Sequence, residues 1–357
     1  MRRTLAMALV CLIALSCLPA KAGGDVVEVV VTLAGDSTLG SEEHIRRNLL
    51  SFDSFIAARG YDYPFKKVQS IFAGDDVTVI NLEGVFYNHS ANRAEKTYNF
   101  RGPTDFARIL PAGSVEAVFV GNNHIIDYGI QGFRSTIAAL EEVSVPWFAA
   151  TNMLSNTWIL EKGGFKVGFT GAYNATFGGF RDQMVKDLQT LKDAGCDAIV
   201  AVMHAGAEYS PVRVKSQERL AKWYVENGAS VVVGHHPHVV QGMDIIGGVS
   251  VVYSLGNFSF GGNAQLRATQ ALLAQVTLRF SREEGYLGHQ VNLIPVSPSG
   301  TADYNNYQPV ILRGDAARAV IELAQRDTPF ELAPYVEGVG ALQPFVPAPE
   351  PETEPVE

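Results

Sequence analysis

The run SVVVGHHPHVVQG, residues 230–242, passes from three valines through one glycine into three histidines, His235, His236 and His238. A short β-branched run ending in a polar, glycine-marked loop reads as a strand buried on both faces that opens at its C-terminal end onto a cleft. The pattern recurs in VVEVVVTLAG (26–35), DDVTVINLEG (75–84), EAVFVGNNH (116–124) and CDAIVAVMHAG (196–206). Between these runs, helical spacing predicts helices over Glu42–Arg59 with a Gly60 stop, Ile130–Glu141, Gly179–Ala194 and Val214–Asn227. Strand, helix, strand repetition predicts an α/β fold with a parallel sheet and helices packed outside it.

Beyond Val240 the period changes. VVQGMDII, GGVSVVYSLGNF, LLAQVTLRF and GHQVNLIPV alternate in polarity and are joined by glycine turns, with Gly247-Gly248 the clearest hairpin signal. A second Gly-Gly sits inside WILEKGGFKVGFTGAY (158–173) and predicts another hairpin. These antiparallel strands are expected to form a second sheet against the first, within one domain over residues 25–330 that closes with a helix over Asp315–Gln325. Residues 343–357 are rich in Pro and Glu and are expected to be disordered.

With 47% hydrophobic and 18% charged residues, the 357-residue chain can bury a large core, which excludes disorder and a multi-span membrane protein. Residues 1–22 read as a signal peptide, with basic Arg2 and Arg3, an apolar stretch from Leu5 to Leu18, and Ala20-Lys21-Ala22 at the cleavage position. A secreted, periplasmic or cell-surface location follows. A lipid anchor at Cys17 fits less well, because Ala14-Leu15-Ser16 is a poor lipobox. Cleavage removes Arg2, Arg3 and Lys21 and no acid, so the formal charge of −9 becomes −12. An acidic chain of this kind is repelled by nucleic acid and by anionic lipid. Cys196, alone after cleavage, has no His or Lys beside it and reads as an inert core thiol.

Ligand-type side chains recur at strand end after strand end: Asp36, then Asn81 and Glu83, then Asn122, Asn123 and His124, then His204, then His235, His236 and His238. In an open parallel sheet those ends share one edge, where ligands bind. Imidazole, carboxylate and amide oxygen together suit Mn, Fe or Zn, and a pair of such ions can hold a hydroxide for in-line attack at phosphorus. Taken singly, Asp36 also fits an N-cap, Glu83 a surface acid and Asn122-Asn123 a tight turn. Gly74-Asp75-Asp76 precedes a strand and reads as a turn, and Arg101 reads either as a surface residue or as an anion contact. Neither a Gly-x-Ser-x-Gly elbow nor a P-loop is present.

GDSTLG (35–40), INLEG (80–84), GNNHIIDYG (121–129), MHAGAEYS (203–210), GHHPHVVQG (234–242) and YSLGNF (253–258) resemble, in this order and spacing, the CapA-type poly-γ-glutamate capsule synthesis proteins, a branch similar to the calcineurin-like metallophosphoesterases. The resemblance spans about residues 28–300 and implies a four-layer αββα sandwich. It implies Asp36, Glu83, Asn123, His204, His236 and His238 as metal ligands for one or two divalent ions. It further implies His124 as the group that protonates a leaving oxygen, oriented by Asp127. Asn122, Glu208, Tyr209, His235 and Asn257 are read as substrate-facing, with Tyr209 either an aromatic wall or a structural residue.

The resemblance is incomplete at one position, since Asp36-Ser37-Thr38 lacks the histidine of the wider superfamily's first motif and Glu83 stands for an Asp. The site then holds one ion, binds more weakly, or recruits Glu208. The implied function is metal-dependent hydrolysis or transfer at a phosphoester or amide, in the synthesis, export or anchoring of an anionic polymer, beside a membrane-bound polymer synthase. The alternative is a non-catalytic assembly factor that keeps the cleft for polymer binding.

Overall fold

The computed structural model describes residues 26–151, 155–174, 179–263, 265 and 267–350. The expected signal peptide and residues 351–357 of the expected tail lie outside them.

The first half of the chain builds β1 (Val27–Thr38), α1 (Phe52–Arg59), α2 (Gln69–Phe72), β2 (Val77–Leu82), β3 (Val85–Phe86), β4 (Arg101–Gly102), α3 (Ile109–Ala112), β5 (Ala117–Phe119), α4 (Gly129–Glu142) and β6 (Trp147–Phe148). The second builds β7 (Trp158–Lys162), β8 (Phe165–Tyr173), α5 (Arg181–Asp193), β9 (Ala198–His204), α6 (Lys215–Glu226), β10 (Val231–His235), β11 (Met243–Ile246), β12 (Val249–Val252) and β13 (Asn257–Phe260). It ends with the long β14 (Ala271–Ser281) and β15 (Gly285–Ser297), then β16 (Val310–Ile311), α7 (Gly314–Gln325), β17 (Ala341–Leu342) and β18 (Val346–Pro347). Among the described residues no helix is long and apolar enough to cross a membrane.

Two mixed sheets result. The first runs β16-β15-β14-β1-β2-β5-β6, with β13 added on β1; the second runs β11-β12-β10-β9-β8-β7. This corrects the expectation of one parallel and one antiparallel sheet. Of the five strands with polar ends, β1, β2 and β5 are parallel neighbours in the first sheet, whereas β9 and β10 pair in the second. The cause is the β7–β8 hairpin, which turns at Gly163-Gly164 (φ 61° and 88°) and starts a new sheet that β9 and β10 extend. Each sheet is then closed antiparallel: β14 lies along β1, and β11 folds back on β12 through Gly247-Gly248 (φ 57° and 78°).

The strand period of two sorts the side chains into layers. Val200 and Val202 of β9 and Val231 and Val233 of β10 pack toward the first sheet, in one core with Leu33, Phe119 and Phe148. The alternate residues Ile199, Ala201, Met203 and Val232 pack outward against Leu188 and Leu191 of α5 and Leu220 and Tyr224 of α6. On the far side of the first sheet lie Ile56 of α1, Leu110 of α3 and Phe133 and Leu140 of α4. The fold is therefore helix, sheet, sheet, helix: the four-layer αββα sandwich.

Two further expectations change. Only the last eight residues of the expected Glu42–Arg59 helix form, because the Ser51 hydroxyl accepts the Ser54 N–H and caps α1 there, while Leu49 and Leu50 stay exposed and give an earlier turn nothing to bury. The tail expected to be disordered from 343 remains attached to β15 through β17 and β18, with Gln343 N–H donating to Val291 O and Val346 buried opposite His289.

Candidate metal centre

The site forms where strand ends of both sheets meet. On β1 the register with β2 slips by one residue between Ala34 and Asp36, a bulge that leaves Gly35 unpaired and sets Asp36 beside Asn81. On its other side Asp36 is in register with Asn257 of β13. A Cβ on Gly35 would lie 2.0 Å from Gly256 O, so this approach of β13 to β1 requires glycine. In the second sheet, His204 and His235 pair side by side at the ends of β9 and β10. Both continue the rows of Val200 and Val202 and of Val231 and Val233, so the period that buries the valines also aims these imidazoles at the first sheet.

Asp36 is fully buried; its Oδ1 accepts from Asn81 Nδ2 at 2.8 Å and its Oδ2 from the His236 N–H at 3.2 Å. Oδ2 also lies 3.1 Å from His238 Nδ1, and Oδ1 3.4 Å from His235 Nδ1. Burial alone would raise this carboxyl; the contacts and charges of His235 and His238 outweigh burial and hold it well below the usual carboxylate range.

Glu83 is pushed the other way. It is fully buried, both carboxylate oxygens lack any hydrogen-bond partner, and Oε1 lies 3.7, 3.8 and 3.8 Å from Nε2 of His124, His204 and His238. Burial raises its carboxyl well above the usual range, and the nearby His238 charge offsets that only in part. His238 responds reciprocally, since burial would depress its imidazole but Glu83 and Asp36 lift it to about 10.

Around this pair, His204 is fully buried and sits with Nε2 at 2.8 Å from Asn123 Oδ1 and 3.0 Å from His236 Nδ1. Burial, reinforced by the neighbouring His236, holds His204 well below its usual range, and burial likewise lowers His236. Three non-glycine residues here keep left-handed backbone: His236 (φ 99°), His238 (φ 60°) and Tyr209 (φ 58°). Each such residue costs of order 1 kcal/mol or more, a strain that the surrounding fold must impose.

His124 lies on the first-sheet side. Its Nδ1 is 2.8 Å from Asp127 Oδ2, its ring stacks on Phe100 at 4.3 Å, and burial lowers its affinity for a proton against the opposing pull of Asp127. Asp127 also accepts the Phe100 N–H at 2.6 Å on Oδ2 and forms an ion pair through Oδ1 with the Lys96 ammonium. With Nδ1 turned to this carboxylate, Nε2 faces Glu83.

The residues fit a cation. Ionising Glu83 in this dry site without a partner costs several kcal/mol, which is why its carboxyl is raised, and a bound positive ion would offset that cost. Carboxylate, imidazole and amide oxygen suit Mn, Fe or Zn. Two groups of ligand atoms each fall within 4.8 Å of one another: Asp36, Glu83 and His204, all buried, and Glu208, His236 and His238, nearer the mouth. Glu208 thus sits where it can serve the position that lacks the first-motif histidine. Thr38, which stands at that motif position, instead donates its hydroxyl to Glu83 O at 2.8 Å.

Asp36, Glu83, Asn123, His124, His204, His236 and His238 therefore converge, with Asp127 directly behind His124. Asn122 and His235 do not line the open cleft as expected, while Asn257 borders an adjoining groove. Asn122 Nδ2 donates to Asn81 Oδ1 and Leu82 O while its Oδ1 accepts the His124 N–H, which folds the loop after β5. His235 lies behind Asp36 against Phe119, and Asn257 Oδ1 is taken by His238 Nδ1 at 2.9 Å. Glu208 and Tyr209 do line the open cleft, with Tyr98, Phe100, Phe260 and Arg267. Arg101 is buried against Glu43 and the Tyr87 carbonyl and is not among the residues that line the cleft at the metal centre.

Three contributors carry no assigned role in the sequence reading. Asn81 links Asp36, His204 and Asn122 through its amide, and the only signal for it is its place one residue after an apolar run. Lys96 and Arg267 come from loops without a motif.

Comparison with known proteins gives the lineage. The chain is 28% identical over 274 residues to the capsule biosynthesis protein CapA of Bacillus anthracis, covering 71% of this chain and 64% of that protein. It is 27% identical over 225 residues to the PGA biosynthesis protein CapA of Bacillus subtilis, covering 57% and 58%. The match thus spans less than two thirds of the length of either relative. Among solved structures, a 5'-nucleotidase from Candida albicans aligns at a TM-score of 0.37 and 9% identity over 72% of this chain and 51% of its own. The family model described as bacterial capsule synthesis protein PGA_cap matches residues 30–262, and the chain belongs to that family.

Proposed function

We propose that this chain is a metal-dependent hydrolase or transferase that acts outside the cytoplasm in the synthesis, export or anchoring of an anionic capsule polymer such as poly-γ-glutamate. The bond is a phosphoester or an amide. The observation that carries the reading is Glu83, a buried carboxylate without a hydrogen-bond partner that faces three imidazoles. Asp36, Glu83, Asn123, His204, Glu208, His236 and His238 would hold one or two divalent ions, which supply charge neutralisation and an activated water.

The chain's own part is proton handling and exclusion of water. Asp127 holds the His124 Nδ1 proton, so Nε2 is the atom that delivers a proton to a leaving oxygen or nitrogen. Phe100, stacked on His124, and Phe260 keep that side of the cleft apolar. Export through residues 1–22, an acidic surface that disfavours nucleic acid, and a membrane-bound polymer synthase as partner complete the proposal. One observation favours the assembly-factor reading: Thr38 occupies the first-motif histidine position with its hydroxyl bound to backbone.

The test is metal analysis of protein purified without chelator, beside His236→Ala, with turnover of an aryl phosphodiester and of γ-linked glutamate oligomers by wild type and His124→Ala. Metal that is lost in His236→Ala, with turnover lost in His124→Ala, is the expected result. A chain that takes up no Mn, Fe or Zn overturns the enzymatic reading and leaves the assembly factor.

A further inference from the structure

We infer that Arg267, set against the Tyr209 ring at the mouth of the cleft, is a specificity residue that binds a carboxylate of the glutamyl chain beside the metal centre. The inference rests on the proposed function above and names what the same site selects. Arg267 is exposed, its Cζ lies 5.9 Å from the Tyr209 ring centroid, and it lines the cleft together with Tyr98 and Tyr209. Among the described residues no carboxylate lies in ion-pair range of it, unlike Arg101 and Arg213, each of which is paired with an acid. It also borders both the cleft over His124 and His238 and an adjoining groove along Asn257 and Asn305. A chain running from one to the other passes over it.

Charge explains why the site needs such a residue. The protein carries nine more acids than bases, and Glu208 lines the cleft itself, so a polyanion is repelled until it meets a local cation. Of the basic side chains that line the open cleft, His124 and His238 are buried and paired with Asp127 and Asp36, which leaves Arg267 as the exposed cation among the described residues. Lys96, the nearby alternative, is spent on Asp127 and Asn123 O. A guanidinium suits the task because its planar fork engages a carboxylate through two parallel N–H bonds while its face rests on an aromatic ring. Tyr209, kept in left-handed backbone and tied through its N–H to Pro237 O at 2.7 Å, fixes where that face sits.

The experiment is titration of the full metal-loaded protein with a γ-linked glutamate oligomer and with the neutral γ-linked glutamine oligomer of equal length, for wild type, Arg267→Gln and Arg267→Lys. Arg267→Gln is expected to weaken glutamate-oligomer binding about tenfold, leaving the neutral oligomer, metal content and melting temperature unchanged; Arg267→Lys falls between. Unchanged glutamate affinity in Arg267→Gln, or equal losses for both oligomers, overturns the role of Arg267 while the proposed function stands. A wild type that binds metal but neither oligomer overturns the polymer reading, and this inference with it.

Discussion

Asp127 Oδ2 lies 2.8 Å from His124 Nδ1, while its other oxygen takes the Lys96 ammonium. The carboxylate thereby fixes which imidazole nitrogen carries the proton and turns the other, Nε2, toward Glu83. Asp127→Asn keeps the shape but removes the charge that selects this tautomer. Turnover is expected to fall about 10²-fold with KM changed less than about threefold, read by steady-state kinetics beside metal analysis. If metal is lost together with turnover, the His124–Asp127 pair belongs to the ion site and not to proton transfer.

Glu83 makes a second prediction that needs no substrate. In the wild type, a metal at one hundred times its Kd adds about 2.7 kcal/mol of stability. Glu83→Gln replaces a buried carboxylate that has no partner and is expected to lose most of this gain. In chelator the order reverses: the variant is no less stable than the wild type, because the neutral amide carries no cost of ionisation in the dry site. Melting curves of both proteins, with chelator and with Mn, Fe or Zn, measure the crossing, and parallel curves sink the metal assignment.

The strand ends were the legible part of the site, for a physical reason. A buried strand announces itself as an apolar run, and the first polar residues after it must lie at its end, which is how Asp36, Glu83, His124, His204 and His236 stand out. Which sheet each strand joins was not legible, because pairing between β8 and β9 or between β1 and β14 is decided by surfaces far apart in sequence. The same limit hid the roles of Asn122 and Asn257, whose amides serve His124 and His238 only once the loops have folded. Composition misled at the C-terminus: a Pro-rich segment needs few backbone donors to sit on a sheet edge, and β18 covers β15 with Val346 buried.

The bulge at Gly35 supplies a third prediction. A methyl group there meets Gly256 O at 2.0 Å, so Gly35→Ala must push β13 off β1 and move Asn257 away from Asp36. Overpacking of backbone against backbone is expected to cost about 3 kcal/mol and to weaken metal uptake. Gly179→Ala is the control, since among the described residues nothing lies within 4 Å of the added carbon. Urea unfolding of both variants decides it; equal stability would mean that the strands part without strain.

His289 gives a prediction about pH at a place remote from the metal centre. Its ring is buried between Tyr286 OH and Ser250 Oγ, each at 2.8 Å, and burial depresses its pKa from 6.5 to about 4. The folded imidazole stays neutral where the unfolded one is charged, so its contribution is fully present above pH 6.5 and is lost as the pH falls toward 4. A shift of this size corresponds to about 3 kcal/mol. Asp75, pushed up to about 7 by burial, has the opposite slope, favouring the folded state at low pH and losing that advantage as the pH rises toward 7. It is common to both proteins and cancels in a comparison with His289→Gln. The wild type should therefore lose about 3 kcal/mol more than the variant between pH 7 and pH 4, read from urea midpoints at three pH values. Parallel loss in both would show that His289 does not titrate with unfolding.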